Sequence, residues 1–275
     1  MKKYPVGLQL FSVRSDLAKD FEGTLKAVSE MGYDGVEFAG LCGKSPEEVK
    51  SLCEKYSLTP VSAHVPIAEL VSDPEKVFET YQKIGCSYIA VPYLGTEDRP
   101  GGKNYDKIVE TIRELAKKSK EYGIQMMYHN HDFEFVRLEN QMFGYDDLFA
   151  RVPSDLLTCE IDTCWVKVAG QDPAAYLKKY ADRIPVVHFK DYVKKGDKNE
   201  NLYSLIGMEE IEKCDEEDFA FRPLGLGMQN IPGLLEALDG SVCTYIIVEQ
   251  DEPSMGKSRL ECAALSVKCL KELMN

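Results

Sequence analysis

The stretch YHNHDFEF, Tyr128–Phe135, contains two of the chain's four histidines together with two carboxylates. Imidazole has an unperturbed pKa of about 6.5, so it transfers protons near neutral pH, and it also binds divalent metals. A solvated surface loop is the simplest interpretation of this stretch. A metal site or a proton-transferring site is the alternative, and the other polar residues of the chain discriminate between the two.

These two histidines and four other ionisable residues occur in pairs at the ends of short apolar segments. Residues two apart on a strand point to the same face. The pairs are His129 and His131, Glu160 and Asp162, and His188 and Lys190. If these faces line one cavity, imidazoles, carboxylates and an ammonium group converge there.

The elements that must position these pairs follow from the hydrophobic pattern. Eight apolar segments alternate with eight segments of helical periodicity, and this alternation predicts parallel strands joined by helices. The strands are apolar on nearly every position, as expected for a sheet buried on both faces. Strands are predicted at 6–12, 35–40, 60–65, 88–93, 124–130, 156–162, 185–191 and 244–250. Helices are predicted at about 21–31, 46–56, 74–84, 105–122, 145–151, 172–180, 231–238 and 258–273.

Eight such units in 275 residues predict a (β/α)8 TIM barrel formed as one domain over residues 1–275. A doubly wound open sheet is the alternative, but no glycine-rich phosphate loop follows any strand. The polar segment at about 192–224 interrupts the alternation. It is interpreted as a long insertion, either a solvated loop or a lid or subunit contact.

All four histidines fall at the predicted carboxyl ends of strands, where TIM barrels hold their active sites. Burying this many ionisable groups without compensation is costly, and a divalent cation offsets the carboxylate charge. Asp162, His188 and Glu249 are the strongest candidates for metal ligands. Oxygen ligands with one or two imidazoles suit manganese, magnesium, cobalt, iron or zinc.

Several of these residues also have a structural interpretation. His64 at the end of the third strand is compatible with a hydrogen-bonded structural role, and Asp191 with a helix cap. Lys190 either orients a substrate oxygen or pairs with Glu37 or Glu160.

Two further residues are candidates for substrate contact. Trp165, the only tryptophan, follows Asp162 and either stacks on a substrate or belongs to the core. Arg222 precedes the glycine-containing sequence PLGLG. No cluster of arginine and lysine for a phosphate is evident, which favours an unphosphorylated substrate.

Composition excludes several classes of protein. The net charge of −13 argues against nucleic-acid binding. Nine cysteines with no C-x-x-C pair argue against a disulfide framework or a zinc ribbon. No apolar stretch approaches the roughly 20 residues of a membrane span, and the N-terminus lacks a signal-peptide pattern. A cytoplasmic protein is therefore expected.

Seven motifs together resemble the sugar isomerase/epimerase superfamily of xylose isomerase-like barrels, which includes keto-sugar epimerases and inosose dehydratase. They are GVEFAG, SAHVP, YHNHDFEF, EIDTCWV, VHFKD, PLGLGMQNIPGLLEAL and VEQD. The resemblance covers nearly the whole chain. It implies one divalent ion, most often Mn²⁺, held by residues of the last four strands, and a dimer or tetramer.

Asp162, His188 and Glu249 match three ligands of that superfamily. At the fifth strand the epimerases have a glutamate where this chain has His129. We expect Glu134 to replace it, with His129 or His131 as the alternative ligand. In the epimerases, glutamates of the fifth and eighth strands both move protons. Because this chain has His129 instead of the first of them, that mechanism does not transfer to it directly.

The resemblance predicts an isomerase or epimerase that removes a proton next to the carbonyl of a keto-sugar. The alternative is a lyase acting on a keto-inositol, a 3-keto-sugar or a 3-keto-glycoside through the same first step. Predicted catalytic residues are His129, His131, Glu249 and Lys190. Predicted substrate-binding residues are Glu37, His64, Trp165 and Arg222. An endonuclease IV-like enzyme and a non-catalytic sugar-binding protein are less consistent with the residues and the charge.

Overall fold

A closed barrel of eight parallel strands forms the centre of the computed structural model, which describes residues 2–195 and 219–275. In chain order the barrel strands are β1 (Val6–Gln9), β2 (Gly35–Phe38), β3 (Thr59–His64), β4 (Tyr88–Val91), β5 (Gln125–His129), β6 (Leu157–Asp162), β7 (Val186–Phe189) and β10 (Tyr245–Val248). Each strand pairs with the next, and β10 pairs with β1 to close the barrel. The predicted TIM barrel is confirmed.

Helices follow the barrel strands and cover the outside of the sheet. They are α1 (Arg14–Lys19), α2 (Phe21–Glu30), α3 (Pro46–Lys55), α4 (Ile67–Ser72), α5 (Pro74–Ile84), α6 (Tyr105–Ser119), α7 (Gly144–Arg151), α8 (Thr163–Val168), α9 (Pro173–Lys179), α10 (Ile231–Ala237) and α11 (Arg259–Leu273). The short helices α1, α4 and α8 were not predicted, because six residues are too few to display a helical period. Helix α8 starts directly after β6, since the Asp162 side chain caps it.

Side chains inside the barrel form layers with the two-residue period of the strands. One layer is apolar and contains Val61, Ala90, Met127, Val186 and Ile247. Gly7 and Gly35 make room for it, since an added Cβ would lie 2.5 Å from Ile247 Cδ1 and 2.8 Å from Val61 Cγ2, respectively. Polar side chains occupy the layers above, toward the carboxyl ends of the strands.

The insertion begins and ends in a two-stranded antiparallel sheet. Strand β8 (Asp191–Lys194) pairs with β9 (Phe219–Arg222), where a loop was predicted. The acidic runs at 209–212 and 215–218 lie outside the described residues, so a lid or subunit contact there stays a prediction. Within 2–195 and 219–275, no helix has the length and apolarity needed to cross a bilayer.

Candidate metal centre and active site

The strands place their ionisable side chains by simple alternation. On β7, Val186 belongs to the apolar layer, His188 lies two residues further on, and Lys190 follows two residues after that. The same spacing gives Met127, His129 and His131 on β5, and Ile247, Glu249 and Asp251 on β10. Because the strands are parallel, equivalent positions meet at the same height of the barrel.

Four buried side chains converge at the barrel mouth: His129, Asp162, His188 and Glu249. One donor atom from each lies within 4.8 Å of the others. His188 Nδ1 lies 3.2 Å from Glu249 Oε2. His129 Nε2 lies 3.5 Å from Asp162 Oδ2 and 3.8 Å from Glu249 Oε2. The predicted trio Asp162, His188 and Glu249 therefore comes together, and His129 lies beside it.

Several atoms of this cluster that could bind a metal make no hydrogen bond within the protein. Asp162 Oδ1 accepts from the backbone N–H groups of Cys164 and Trp165, at 2.8 and 3.1 Å. Asp162 Oδ2 and both ring nitrogens of His129 are buried without a hydrogen-bond partner. Buried polar atoms are normally satisfied, so such a group of atoms is suited to binding one shared ligand.

The donor set fits a divalent ion. Burial lowers the pKa of His188, but Glu37 and Glu160 outweigh it and raise the pKa well above its usual value, so a positive charge is favoured at this imidazole. If Nε2–H donates to Glu37 Oε2, at 2.6 Å, a metal-bound neutral ring presents a lone pair at Nδ1 toward the Glu249 carboxylate. Two lone pairs at that separation repel unless a proton or a cation lies between them. Two imidazole nitrogens with two carboxylate oxygens suit first-row divalent metals.

Glu37 supports the cluster from below rather than lining the cavity. Its carboxylate accepts from Gln9 Nε2 and from Ser62 Oγ, both at 2.7 Å, in addition to His188. It is completely buried. A carboxylate that fixes the tautomer of a ligating histidine is a standard outer partner of metal sites, so the geometry does not favour the predicted substrate contact.

His64 and Glu160 form a second imidazole–carboxylate pair. His64 Nε2 lies 2.7 Å from Glu160 Oε2 and 3.2 Å from Glu37 Oε2. Burial lowers the pKa of His64, but the two carboxylates outweigh it and raise the pKa above its usual value. Glu160 points into the barrel and not toward the outer helices. His64 lines the cavity, as a substrate-binding residue must.

Glu134 lies outside the group of His129, Asp162, His188 and Glu249, which we call the donor cluster. This is contrary to the expectation that Glu134 replaces the epimerase glutamate. Its two oxygens accept from the Tyr128 hydroxyl at 2.6 Å and from the His131 backbone N–H at 2.8 Å. Burial raises its pKa to about 8. The carboxylate thus shapes the β5 loop, and the structure brings His129 to the position expected for Glu134.

His131 is held among aromatic rings. Its ring stacks on Phe133, packs edge-on against Tyr93 and lies 5.1 Å from the Trp165 ring. Burial, together with His129 and Lys190, lowers the pKa of His131 well below its usual value. Trp165 is completely buried behind His131 and does not line the cavity; the core interpretation of this residue is therefore the one that agrees with the structure.

Lys190 is almost completely buried and surrounded by three carboxylates. Its Nζ contacts Asp251 Oδ2 closely and lies 3.2 Å from Glu249 Oε2 and 3.7 Å from Asp162 Oδ2. Burial lowers its pKa, but Asp251 and Glu249 outweigh this and raise it. The predicted pairing of Lys190 with Glu37 or Glu160 is therefore wrong. Lys190 pairs instead with Asp251, Glu249 and Asp162.

Asp191 does not cap a helix. Its carboxylate accepts from the backbone N–H groups of Tyr192, Gly225, Gly227 and Gln229, at 2.9 to 3.0 Å. A Cβ on Gly227 would lie 2.1 Å from Asp191 Oδ1, so the loop requires glycine there. Arg222 lies opposite Asp191 in the hairpin and does not line the cavity; substrate contact by Arg222 stays a prediction.

A cavity of about 310 Å³ opens above the cluster of His129, Asp162, His188 and Glu249. His64, His129, His131, Lys190, Glu249 and Asp251 contribute its ionisable floor. Asp251 was not selected from the sequence, although its position two residues after Glu249 is the same signal that identified Lys190. Asn130 was also missed: its amide bridges the ends of β5 and β6 through the backbone N–H and C=O of Asp162.

Comparison with known proteins agrees with this geometry. Residues 25–273 match the xylose isomerase-like TIM barrel family. Inosose dehydratase of Lacticaseibacillus casei is 24% identical over 277 residues, covering 93% of this chain and 90% of that protein.

Two solved structures share the fold. A sugar phosphate isomerase/epimerase from Parabacteroides distasonis has a TM-score of 0.76 and 18% identity, covering 98% of this chain and 93% of that one. The IolI protein with a bound zinc atom has a TM-score of 0.73 and 16% identity, covering 98% of each chain. The chain therefore belongs to the xylose isomerase-like TIM barrel family.

Proposed function

We propose that the protein is a divalent-metal-dependent carbon–oxygen lyase that acts on a keto-inositol or keto-sugar. The observation that carries this proposal is the meeting of the donor cluster, His131 and Lys190 around one cavity. The named sequence relatives support elimination better than the isomerase or epimerase reaction predicted from the resemblance. His129, where the epimerases have a glutamate, also favours a different distribution of proton-transfer groups.

The proposed metal ligands are His129, Asp162, His188 and Glu249. When bound, a divalent ion supplies Lewis-acid polarisation of the substrate carbonyl. His129 thereby changes from a candidate base to a candidate ligand. The identity of the ion is not determined by the donor set, and Mn²⁺ stays the prediction from the resemblance.

His131 is the proposed base. It removes the proton from the carbon next to the carbonyl, and the C–H electron pair forms a C=C bond as the neighbouring C–O bond breaks. The aromatic packing of His131 excludes water and favours its neutral form, which is the form that accepts a proton.

Lys190 and His64 complete the proposed reaction. Lys190 holds a fixed positive charge beside the developing oxyanion, where preorganised charge is most effective. His64, paired with Glu160, protonates the departing oxygen. The substrate proton leaves from His131 to solvent, so the products are an enone and water or an alcohol.

The test is incubation of the metal-loaded protein with a keto-inositol and with a 3-keto-sugar in deuterated water. A lyase gives an enone that has lost water, detected by ultraviolet absorbance and mass spectrometry. A stereoisomer carrying one solvent deuterium would instead establish the epimerase. Absence of both product and deuterium exchange in all substrates would refute proton abstraction, and His131→Gln with retained metal serves as the matched control.

A further inference from the structure

Two arginines from opposite ends of the chain meet on the loop that follows β10. Arg14 begins α1, and Arg259 begins α11. Both guanidinium groups donate to the backbone C=O of Asp251, each at 2.6 Å, and each also binds one oxygen of the Glu252 carboxylate. We call Arg14, Glu252 and Arg259 the arginine clamp. The proposed reaction uses none of these three side chains.

The arginine clamp also joins the loops that follow the first and last strands of the barrel. Arg14 Nη1 donates to the C=O of Phe11 at 3.0 Å, and Arg259 Nη1 donates to the C=O of Ser12 at 3.2 Å. The Ser12 hydroxyl in turn accepts from the Gln250 N–H at 3.0 Å. Phe11 and Ser12 belong to the short 3-10 helix that follows β1. Side chains thus fix the loop after β10 to the loop after β1.

Asp251 depends on such support because it lies beyond the barrel sheet. Strand β10 ends at Val248, and a bond from the Glu249 N–H to the Phe189 C=O, at 3.2 Å, continues the pairing with β7. Asp251 follows in a bend, and its buried carboxylate contacts Lys190. Backbone groups outside a sheet find their partners in side chains, and the arginine clamp supplies two donors to the Asp251 carbonyl.

The shape of arginine suits this task. A guanidinium group is a planar fork, so one side chain can bind a carbonyl and a carboxylate at the same time. The side chain of Arg259 is 12% exposed and that of Arg14 is 30% exposed, with the Glu252 carboxylate between them. Arg259 is therefore the better shielded member of the clamp, and its substitution should have the larger effect.

The position of Asp251 in turn determines the position of Lys190. The Lys190 side chain is 1% exposed, and its ammonium group faces Asp251, Glu249 and Asp162. Glu249 and Asp162 belong to the donor cluster, so Asp251 is the carboxylate of the three that is left to anchor the ammonium group. A buried ion pair is favourable only when its geometry is good, and that geometry depends on the loop that the clamp holds.

We infer that Arg14 and Arg259 are positioning residues of the active site, which act through Asp251 to hold the Lys190 ammonium group in place. For catalysis, this role rests on the proposed function, since Lys190 is proposed to stabilise the developing oxyanion. The immobilisation of Lys190 by the clamp does not depend on the reaction and is measured separately.

The kinetic test is a double-mutant cycle of Arg259→Ala and Asp251→Asn, measured on the metal-loaded protein with the keto-inositol or 3-keto-sugar that reacts fastest. We expect Arg259→Ala to lower kcat about tenfold, with KM and metal content within about twofold of the wild type. In the Asp251→Asn background the same substitution should lower kcat by less than about twofold, because the carboxylate on which it acts is gone. An unchanged kcat in Arg259→Ala, or the full loss repeated in the Asp251→Asn background, would overturn the inference.

Arg183→Ala is the matched control. Arg183 likewise donates to three backbone carbonyls, those of Phe149, Val152 and Leu157, but it precedes β7 at the other end of the barrel. Its substitution should lower the melting temperature and leave kcat unchanged, which separates loss of stability from loss of positioning.

Glu252→Gln replaces Arg259→Ala in the cycle if the latter does not fold. It keeps the size of the side chain and removes the charge at the centre of the clamp. We expect kcat to fall roughly threefold, and to stay unchanged when Asp251→Asn is already present. A wild-type kcat in Glu252→Gln would then overturn the inference.

The mobility of Lys190 is measured without substrate, by acylation with acetic anhydride followed by peptide mass spectrometry. Lys190 lines the cavity, so a small reagent reaches it, and the exposed Lys268 is the internal standard. The rate at Lys190 relative to Lys268 should rise about tenfold in Arg259→Ala and in Asp251→Asn, but not in Arg183→Ala. An unchanged rate in Arg259→Ala would overturn the inference whatever the activity.

The two measurements separate this inference from the proposed function. If the wild type eliminates from no keto-substrate, the proposed function fails, and faster acylation of Lys190 in Arg259→Ala still supports its immobilisation by the clamp. If the wild type is an active lyase and Arg259→Ala changes neither kcat nor acylation, the proposed function stands and the positioning role is refuted.

Discussion

The two halves of the barrel mouth use the same backbone arrangement for different purposes. Beyond the apolar inner layer, β5, β7 and β10 present His129, His188 and Glu249, and then His131, Lys190 and Asp251. At the matching positions β1 and β2 present Gln9 and Glu37. Phe11, in the 3-10 helix Leu10–Val13, and Ala39, just after β2, follow them. The lower polar layer is thus shared, and the upper layer differs.

The two halves differ in what their residues do: some support the site, and others are suited to metal binding or proton transfer. Gln9 and Glu37 are completely buried; Glu37 holds His188, and Gln9 donates to Glu37. Phe11 and Ala39 instead line the cavity. On the other side, both layers carry groups suited to metal binding or proton transfer. Substitutions of His131, Lys190 and Asp251 should therefore lower kcat, and those of Phe11 and Ala39 should mainly change substrate selectivity.

The largest effect is expected from removing a proposed metal ligand. His188→Ala should abolish stoichiometric metal binding and lower kcat by about 10³-fold or more, since the charge stabilisation at the carbonyl is lost. Glu37→Gln, which removes only the outer partner, should weaken metal affinity by about 10–100-fold. Elemental analysis and metal titration measure both, and full metal content in His188→Ala would reassign the ligands.

A smaller effect is expected when the partner of Lys190 is removed. Asp251→Asn leaves Lys190 with Glu249 and Asp162, so the ammonium loses its closest anchor. Misplacement of such a group by about 1 Å costs up to about 10²-fold in rate. We expect kcat to fall 10–100-fold with little change in KM or in metal content. Recovery of activity in Asp251→Glu would support positioning, and an unaltered kcat in Asp251→Asn would contradict it.

The smallest effect concerns stability and its dependence on pH. Burial raises the pKa of Glu134 to about 8, from about 4.5 in the unfolded chain. The folded protein therefore binds the proton of the Glu134 carboxyl group more tightly than the unfolded chain does. The stability that this protonated carboxyl group contributes is lost as the pH rises from 4.5 through 8. Glu134→Gln mimics the neutral acid, so its melting temperature should exceed that of the wild type at pH 8.5 by a few degrees and match it near pH 5.

Other groups face Glu134, including Tyr128, His131 and Asp132. The comparison of the two pH profiles isolates Glu134, because the other groups are present in both proteins. Thermal unfolding from pH 5 to 8.5 is the measurement. Parallel profiles would show that Glu134 is already ionised in the folded protein.

The barrel was predictable because strand and helix periods are local properties of the sequence. All eight strands, and the histidines at their ends, follow from apolar runs and two-residue alternation. The meeting of Asp162, His188 and Glu249 follows from the same alternation together with the geometry of a closed parallel sheet. The helix start at Ser45 follows likewise from a local capping pattern, and the structure contains the capping box.

The partners of the individual side chains were not predictable, since they depend on distances between residues far apart in the chain. Glu134 and His129 are both near the end of β5, and only the turn at Phe133–Phe135 directs Glu134 away from the cluster toward Tyr128. Lys190 faces Asp251 rather than Glu37 because its level in the barrel is one layer higher. The sequence alone determined which residue types reach the barrel mouth, because side-chain alternation is a local property. The tertiary structure alone decided which of them bind each other, because strand register and loop path are not local.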